Sequence, residues 1–138
     1  MQRRNKMPKY KLVCFDLDGT LIDNVKFSWQ IFHDYFQTDA HRREDAKKRF
    51  LDGGITYLEW AEHDMDMWKE KNATKGQFFK AIEHIKLIEG AMETLNELKK
   101  RGMKLAIISG SINILLEKVI PNYKEIFDDV FLSSIYFN

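Results

Sequence analysis

One cysteine in 138 residues, Cys14, rules out an internal disulfide, and its place inside an apolar run reads as core packing in a reducing compartment. An excess of one charge is also missing. Lys and Arg number 22 against 21 Asp and Glu, a formal charge of +1, so the chain as a whole offers no field for nucleic acid or an anionic membrane. The one local excess, MQRRNKMPKYK at the start, interleaves a single aromatic, Tyr10, and reads as a solvated tail. No stretch nears the ~20 apolar residues that span a bilayer, and the N-terminus lacks the apolar block of a signal peptide. The expected location is the cytoplasm, where the glycosylation-like triplet Asn72-Ala73-Thr74 has no role.

What is present is material for a core. Hydrophobic residues make up 44% of the chain, and a chain of this size forms one ordinary domain or a core with an insertion. Lys11 to Phe15 is an apolar run ended by acids and Gly, the pattern of a buried strand. Met103 to Ile108 is a second, closed by Ser109-Gly110, and Val130 to Leu132 is a third. Between the last two, Ile112, Leu115, Leu116 and Val119 keep helical spacing until Pro121 stops them. Ahead of the second strand, Met92, Leu95 and Leu98 form one stripe, with Lys99, Lys100 and Arg101 in the last turn and Gly102 as the stop. Strand alternating with helix implies a parallel α/β sheet.

The region from 23 to 88 differs in kind. It contains no strand pattern and holds all three tryptophans. Helical stripes fall at Phe27, Ile31 and Tyr35, at Tyr57, Ala61, Met65 and Trp68, and at Phe78, Ile82 and Ile85. Gly53-Gly54 reads as a turn between two helices rather than a mobile loop. The expected organisation is therefore a core formed by 1–22 and 89–138, interrupted by a helical insertion at 23–88.

The chemistry is concentrated where the first strand ends, in KLVCFDLDGTLID. Residues two apart in an extended chain point the same way, so Asp16 and Asp18 can converge on one small volume beyond the strand. Open α/β sheets bind ligands at that end. Two carboxylates brought together repel unless a cation lies between them, and Mg²⁺, which prefers oxygen ligands, suits the place. Gly19 allows a tight turn close to an anion, and backbone amides near Thr20 could donate to phosphate oxygens. A calcium loop also begins D-x-D, but its twelfth position must be acidic and is Phe27 here. Average residue usage puts a chance D-x-D-G-T at about one in a thousand for a chain this size.

An apolar strand followed by DLDGT resembles the first signature of the haloacid dehalogenase-like hydrolases, most of which are phosphatases. The resemblance implies a Rossmann-like parallel core, Asp16 as the nucleophile that takes up the phosphoryl group, and Asp18 as general acid and then base. It also implies Mg²⁺ held by the Asp16 side chain and the Asp18 backbone carbonyl. Ser109 in LAIISGS fills the place of the family's second signature, with its hydroxyl, aided by the Gly110 amide, on a phosphoryl oxygen. A helical insertion after the first signature, then IEGAMETLNELKKRGMKLAIISGS, is most similar to the phosphoserine phosphatase type, covering nearly everything from Leu12 onward. Asp18 disfavours the dehalogenase branch but is compatible with a phosphoryl mutase.

The resemblance also calls for a charge-neutralising lysine and for acids after a fourth core strand, and neither precedes Asn138. Asp128-Asp129 come before the third strand, at the wrong end, and read as capping residues. Lys118 and Lys124 read as solvated. The expectation is an incomplete core of about three strands, truncated, weak or inactive as a phosphatase on its own and acting on a small phosphorylated metabolite. The alternative is a non-catalytic phosphate-binding or assembly protein. In the family's strand order the absent strands would lie beside the first, so its exposed edge should favour homo-oligomers. Arg42, Arg43, Arg49, Glu59 and His63 are the polar candidates for substrate selection in the insertion, and they read as surface. His33, His41, His63 and His84 have no metal-binding spacing.

Overall fold

Strand LVCF, helix-rich middle, then helix, strand, helix and strand make up the chain in a computed structural model that describes residues 9–138. Most of the basic opening segment therefore lies outside the described residues. β1 (Leu12–Phe15), β2 (Lys104–Ile112) and β3 (Asp129–Ser133) form one sheet in the order β1-β2-β3. Both pairings are parallel, with Phe15 level with Ile107 and Ile108 level with Phe131. The three-stranded parallel α/β core is thus present as expected.

The chain falls into two compact units: residues 9–28 with 84–136 and 138, and residues 29–83 with 137. In the first, α5 (Ala91–Lys100) and α6 (Asn113–Val119) pack against β2, and the short α7 (Tyr123–Ile126) precedes β3. Sequential strands joined by right-handed crossovers place their helices on one face of the sheet. Leu105 and Ile107, on the covered face, are fully buried, as are Leu95, Leu115 and Ile112. The opposite face is bare: Leu12, Ile108 and Phe131 are each more than half exposed.

That arrangement corrects the reading of the first strand. Among the described residues β1 pairs only with β2, an edge as expected, but it is not a buried strand: Cys14 is exposed instead of packed in the core. Apolar composition signals burial only where something covers the face, and nothing among the described residues covers this one. β2 also runs further than expected. It continues through Ser109, Gly110 and Ser111 to the buried Ile112, which pairs with Ser133 after an irregularity in register.

The second unit is all helical, with α1 (Ser28–Phe36) entering it and α2 (Ala40–Leu51), α3 (Tyr57–Glu70) and α4 (Lys75–Ala81) following. Its core is an aromatic cluster in which Trp29 stacks on Trp68 at 5.3 Å between centroids, with Phe32, Phe36 and Phe78 closing around them. The expected stripe on α1 is displaced. Phe27 precedes the helix and it and Tyr35 are exposed, while Trp29, Phe32 and Phe36 are buried. Phe78, Ile82 and Ile85 are all buried, but the helix expected to carry them ends at Ala81, so Ile82 caps it and Ile85 lies beyond it. α3 opens with a capping box between Thr56 and Glu59, and α4 with one between Thr74 and Gln77. Gly53-Gly54 is the turn that ends α2: Gly53 has φ of 76°, and the amides of Gly53 and Gly54 donate to Phe50 and Arg49 carbonyls.

Candidate active site

β1 delivers Asp16 to the carboxyl end of the sheet, and the following turn folds back on itself. The Leu17 carbonyl accepts from the amides of Thr20, Leu21 and Ile22, and the Gly19 amide donates to the Ile22 carbonyl at 3.1 Å. Leu17 and Ile22 are fully buried beneath this turn. Gly19 has φ of 71°, and a Cβ there would come within 3.1 Å of the Val25 carbonyl oxygen, so the position is reserved for glycine on two counts. The amides of Gly19 and Thr20 are engaged inside the turn, so in this conformation neither is turned out toward a phosphate, although both residues are exposed.

Asp16 is exposed, and its Oδ1 accepts from the Leu17 amide at 2.7 Å. Asp18 is half-buried and held at both oxygens. The Ser111 hydroxyl donates to Oδ1 at 2.7 Å, and the Ser28 amide, the first of α1, donates to Oδ2 at 2.8 Å. A carboxylate at a helix N-terminus satisfies an orphan amide and complements the local positive potential. The Ser28 and Ser111 hydroxyls lie 3.1 Å apart, and both residues are buried. The Ser111 amide donates to Ser109 Oγ at 3.1 Å, which employs that oxygen as an acceptor. The structure therefore joins Asp18 to the Ser109–Ser111 end of β2 across 93 residues of chain.

Ser28 and Ser111 were not among the residues expected at the site. The pattern SGS at a strand end carried a partial signal, since alternate residues on an extended segment share a face. Ser28 carried only the ordinary signal of a small polar residue before a helix.

The Mg²⁺ expectation rests on Asp16 and Asp18, and the donor set is partial. One Asp16 oxygen and the Asp18 carbonyl are hard oxygen donors of the right kind, while among the described residues no group of three or more His, Cys, Asp or Glu side chains could hold a metal ion. Mg²⁺ commonly keeps several waters in its shell, so two protein oxygens fit it as part of a larger set.

Asp128 and Asp129 behave as structural residues. Asp129 is level with Ala106, at the opposite end of the sheet from Asp16. Asp128 Oδ2 accepts from the Leu105 amide at 2.9 Å, and that bond, with Lys104 nearby, holds its carboxyl below the usual carboxylate range. A cavity of about 560 Å³ opens beside β3, lined by Asn113, Tyr123, Asp128 and Tyr136 among others, and contains none of the expected site residues. Lys118 and Lys124 are exposed.

In the helical unit, Arg42 makes a bidentate pair with Glu70 at 2.7 and 3.1 Å, Arg49 lies 3.5 Å from Asp45, and Arg43 donates to Gln30. Glu59 is committed to its capping box. His33 and His63 both approach Asp64: His33 Nε2 lies 3.1 Å from Oδ2 without hydrogen-bond alignment, and His63 Nδ1 lies 3.4 Å from Oδ1. Burial outweighs Asp64 and keeps the His33 imidazole below its ordinary pKa, so it is neutral in the aromatic core.

Comparison with known proteins places these features in a family. The model for the haloacid dehalogenase-like hydrolases matches residues 10–137. A phosphoserine phosphatase from Methanocaldococcus jannaschii is 32% identical over 114 residues, which is 80% of this chain and 50% of that protein. A solved structure described as a phospho-aspartyl intermediate analogue of phosphoserine phosphatase aligns with a TM-score of 0.64 and 25% identity, covering 95% of this chain and 59% of that one. A hydrolase of the same family from Salmonella enterica serovar Typhi aligns with a TM-score of 0.70 at 19% identity, over 92% of this chain and 41% of the other, and supports the fold alone. The chain thus spans roughly half the length of its curated relative. Among the described residues no helix is long and apolar enough to cross a membrane.

Proposed function

The chain belongs to the haloacid dehalogenase-like hydrolases, and from that premise we propose that it handles small phosphomonoesters in the manner of a phosphoserine phosphatase, by transfer of the phosphoryl group to Asp16. The observation that carries the reading is the meeting of Asp18 with Ser111, in the Ser109–Ser111 end of β2, at the carboxyl end of the parallel sheet.

Asp16 is the exposed carboxylate at that end. One of its oxygens is oriented by the Leu17 amide, and the carboxylate attacks phosphorus in line as the ester oxygen departs. Asp18 gives its proton to the departing alkoxide, then takes a proton from the water that attacks the acyl phosphate, which frees phosphate and restores Asp16. Ser109, whose oxygen already accepts from the Ser111 amide, has its hydroxyl proton for a phosphoryl oxygen, with the Gly110 amide assisting. Mg²⁺, held by the Asp16 side chain and the Asp18 carbonyl, would supply positive charge against the phosphoryl oxygens. Residues 23–88 are the cap insertion, the part that selects the substrate. The chain works in the cytoplasm and self-associates through the edge of β1 that is unpaired among the described residues.

Incubation with a ³²P-labelled phosphomonoester and Mg²⁺, with acid quench, tests this. Acid-stable, alkali-labile label on the wild-type chain and none on Asp16→Asn is expected. The second reading, a phosphate-binding or assembly protein without turnover, draws on the absence of a three-ligand metal cluster among the described residues. Phosphate binding without label would favour it and overturn the first.

A further inference from the structure

Asp18, Ser111 and Ser28 form a closed hydrogen-bonded ring. Ser111 Oγ donates to Asp18 Oδ1 at 2.7 Å, the two serine hydroxyls lie 3.1 Å apart, and the Ser28 amide returns to Asp18 Oδ2 at 2.8 Å. With the Ser111 proton spent on Asp18, Ser28 Oγ is the donor to Ser111 Oγ. Both serines are essentially inaccessible, at 1% and 0% exposure, so water does not substitute for either hydroxyl. Two hydroxyls in such a place would be a liability unless each had a partner, and here they satisfy one another through the carboxylate.

The consequence for Asp18 is geometric. A carboxylate oxygen has two lone pairs, and each Asp18 oxygen spends one on the protein. One lone pair per oxygen is left for a travelling proton. Since bonds are made to both oxygens from two different elements, the end of β2 and the start of α1, the carboxyl plane cannot rotate without breaking one of them. A single bond would leave that rotation open.

We propose that Ser111, backed by the Ser28 hydroxyl, is a positioning residue for Asp18: it locks the carboxyl plane so that the remaining lone pair faces the ester oxygen. This rests on the reading of Asp18 as the proton shuttle, and it adds to that reading which side chains aim it. Ser111 does not touch substrate in this scheme. Its hydroxyl acts only through Asp18, which sets it apart from Ser109, two residues earlier.

The test separates aiming from general support. In the full 138-residue chain, Ser111→Ala should speed exchange of the Ser28 amide about tenfold by NMR, because the carboxylate that holds the amide is released on its other side. Ser28→Ala, which keeps the amide, should do less. An unchanged Ser28 amide overturns the proposal whatever the turnover. Kinetically, Ser111→Ala should lower kcat about 10- to 100-fold for an alkyl phosphate, whose leaving group needs the proton. It should change p-nitrophenyl phosphate, which leaves without one, by less than about threefold, with KM unmoved for both. Equal losses on the two esters would show that Ser111 merely supports the fold and would sink the inference. Absence of hydrolysis of both esters by the wild-type chain would count against the phosphatase reading instead, and the exchange measurement would still decide the ring.

Discussion

The two faces of the same three strands are built from similar residues and meet opposite fates. On one, Leu105 and Ile107 are fully buried beneath α5 and α6. On the other, Leu12 is 52% exposed, Ile108 57% and Phe131 55%, with Cys14 beside them, and only the small Ala106 is sheltered. Neighbouring residues of one strand, Ile107 and Ile108, thus differ completely in environment. Parallel sheets are ordinarily covered on both faces. A sheet laid down strictly in the order β1-β2-β3 has its crossovers on one face, and the second is covered only when the winding reverses beyond β1. Asp16 and Asp18 emerge directly after β1, so the open edge of that strand adjoins the candidate site.

The sharpest way to probe the contrast is substitution across it. Leu105→Ala or Ile107→Ala should cost about 2–5 kcal/mol in denaturant unfolding, because each removes a fully buried side chain and leaves a cavity. A smaller loss is expected from Asp128, whose bond to the Leu105 amide pins the start of β3 to β2 regardless of face. Its carboxyl is held below the ordinary value, so the folded state binds that proton less readily than the unfolded chain. The stabilisation is present above the ordinary carboxylate pKa and is lost as pH falls through the lowered one. Asp128→Asn should therefore be less stable than wild type at pH 7 and should converge with it in acid, as followed by urea unfolding at several pH values. The smallest effect belongs to the bare face. Ile108→Thr with Phe131→Thr should alter stability by no more than about 0.5 kcal/mol each while reducing self-association in sedimentation and binding of a hydrophobic dye. If Ile108→Thr proved as costly as Ile107→Ala, the face would be covered in solution and the contrast would vanish.

Much of this was legible beforehand, for identifiable reasons. The strand LVCF ending in paired acids, the stripe on α5 with its basic last turn, and the apolar Met103–Ile108 run are local signals, and each became the element it implied. Face assignment was less legible. On α1 the spacing indicated Phe27, Ile31 and Tyr35, and the aromatic partners Trp68 and Phe78, supplied from α3 and α4, buried Trp29, Phe32 and Phe36 instead. Cys14 reads as core in a strand of that composition, and only the missing cover makes it exposed.

The candidate site divides the same way. Asp16, Asp18, Gly19 and Ser109 stand out in sequence because their chemistry depends on type and short-range spacing, which a chain displays directly. The ring through Ser28 and Ser111 depends on contacts between residues 83 and 93 positions apart. What the sequence by itself determined was the set of reactive groups and the strand and helix alternation that brings them to one end of a sheet. Only the tertiary structure decided how Asp18 is aimed and which face of the sheet stays bare, because both are set by pairing and packing between distant segments, and no local pattern encodes a partner.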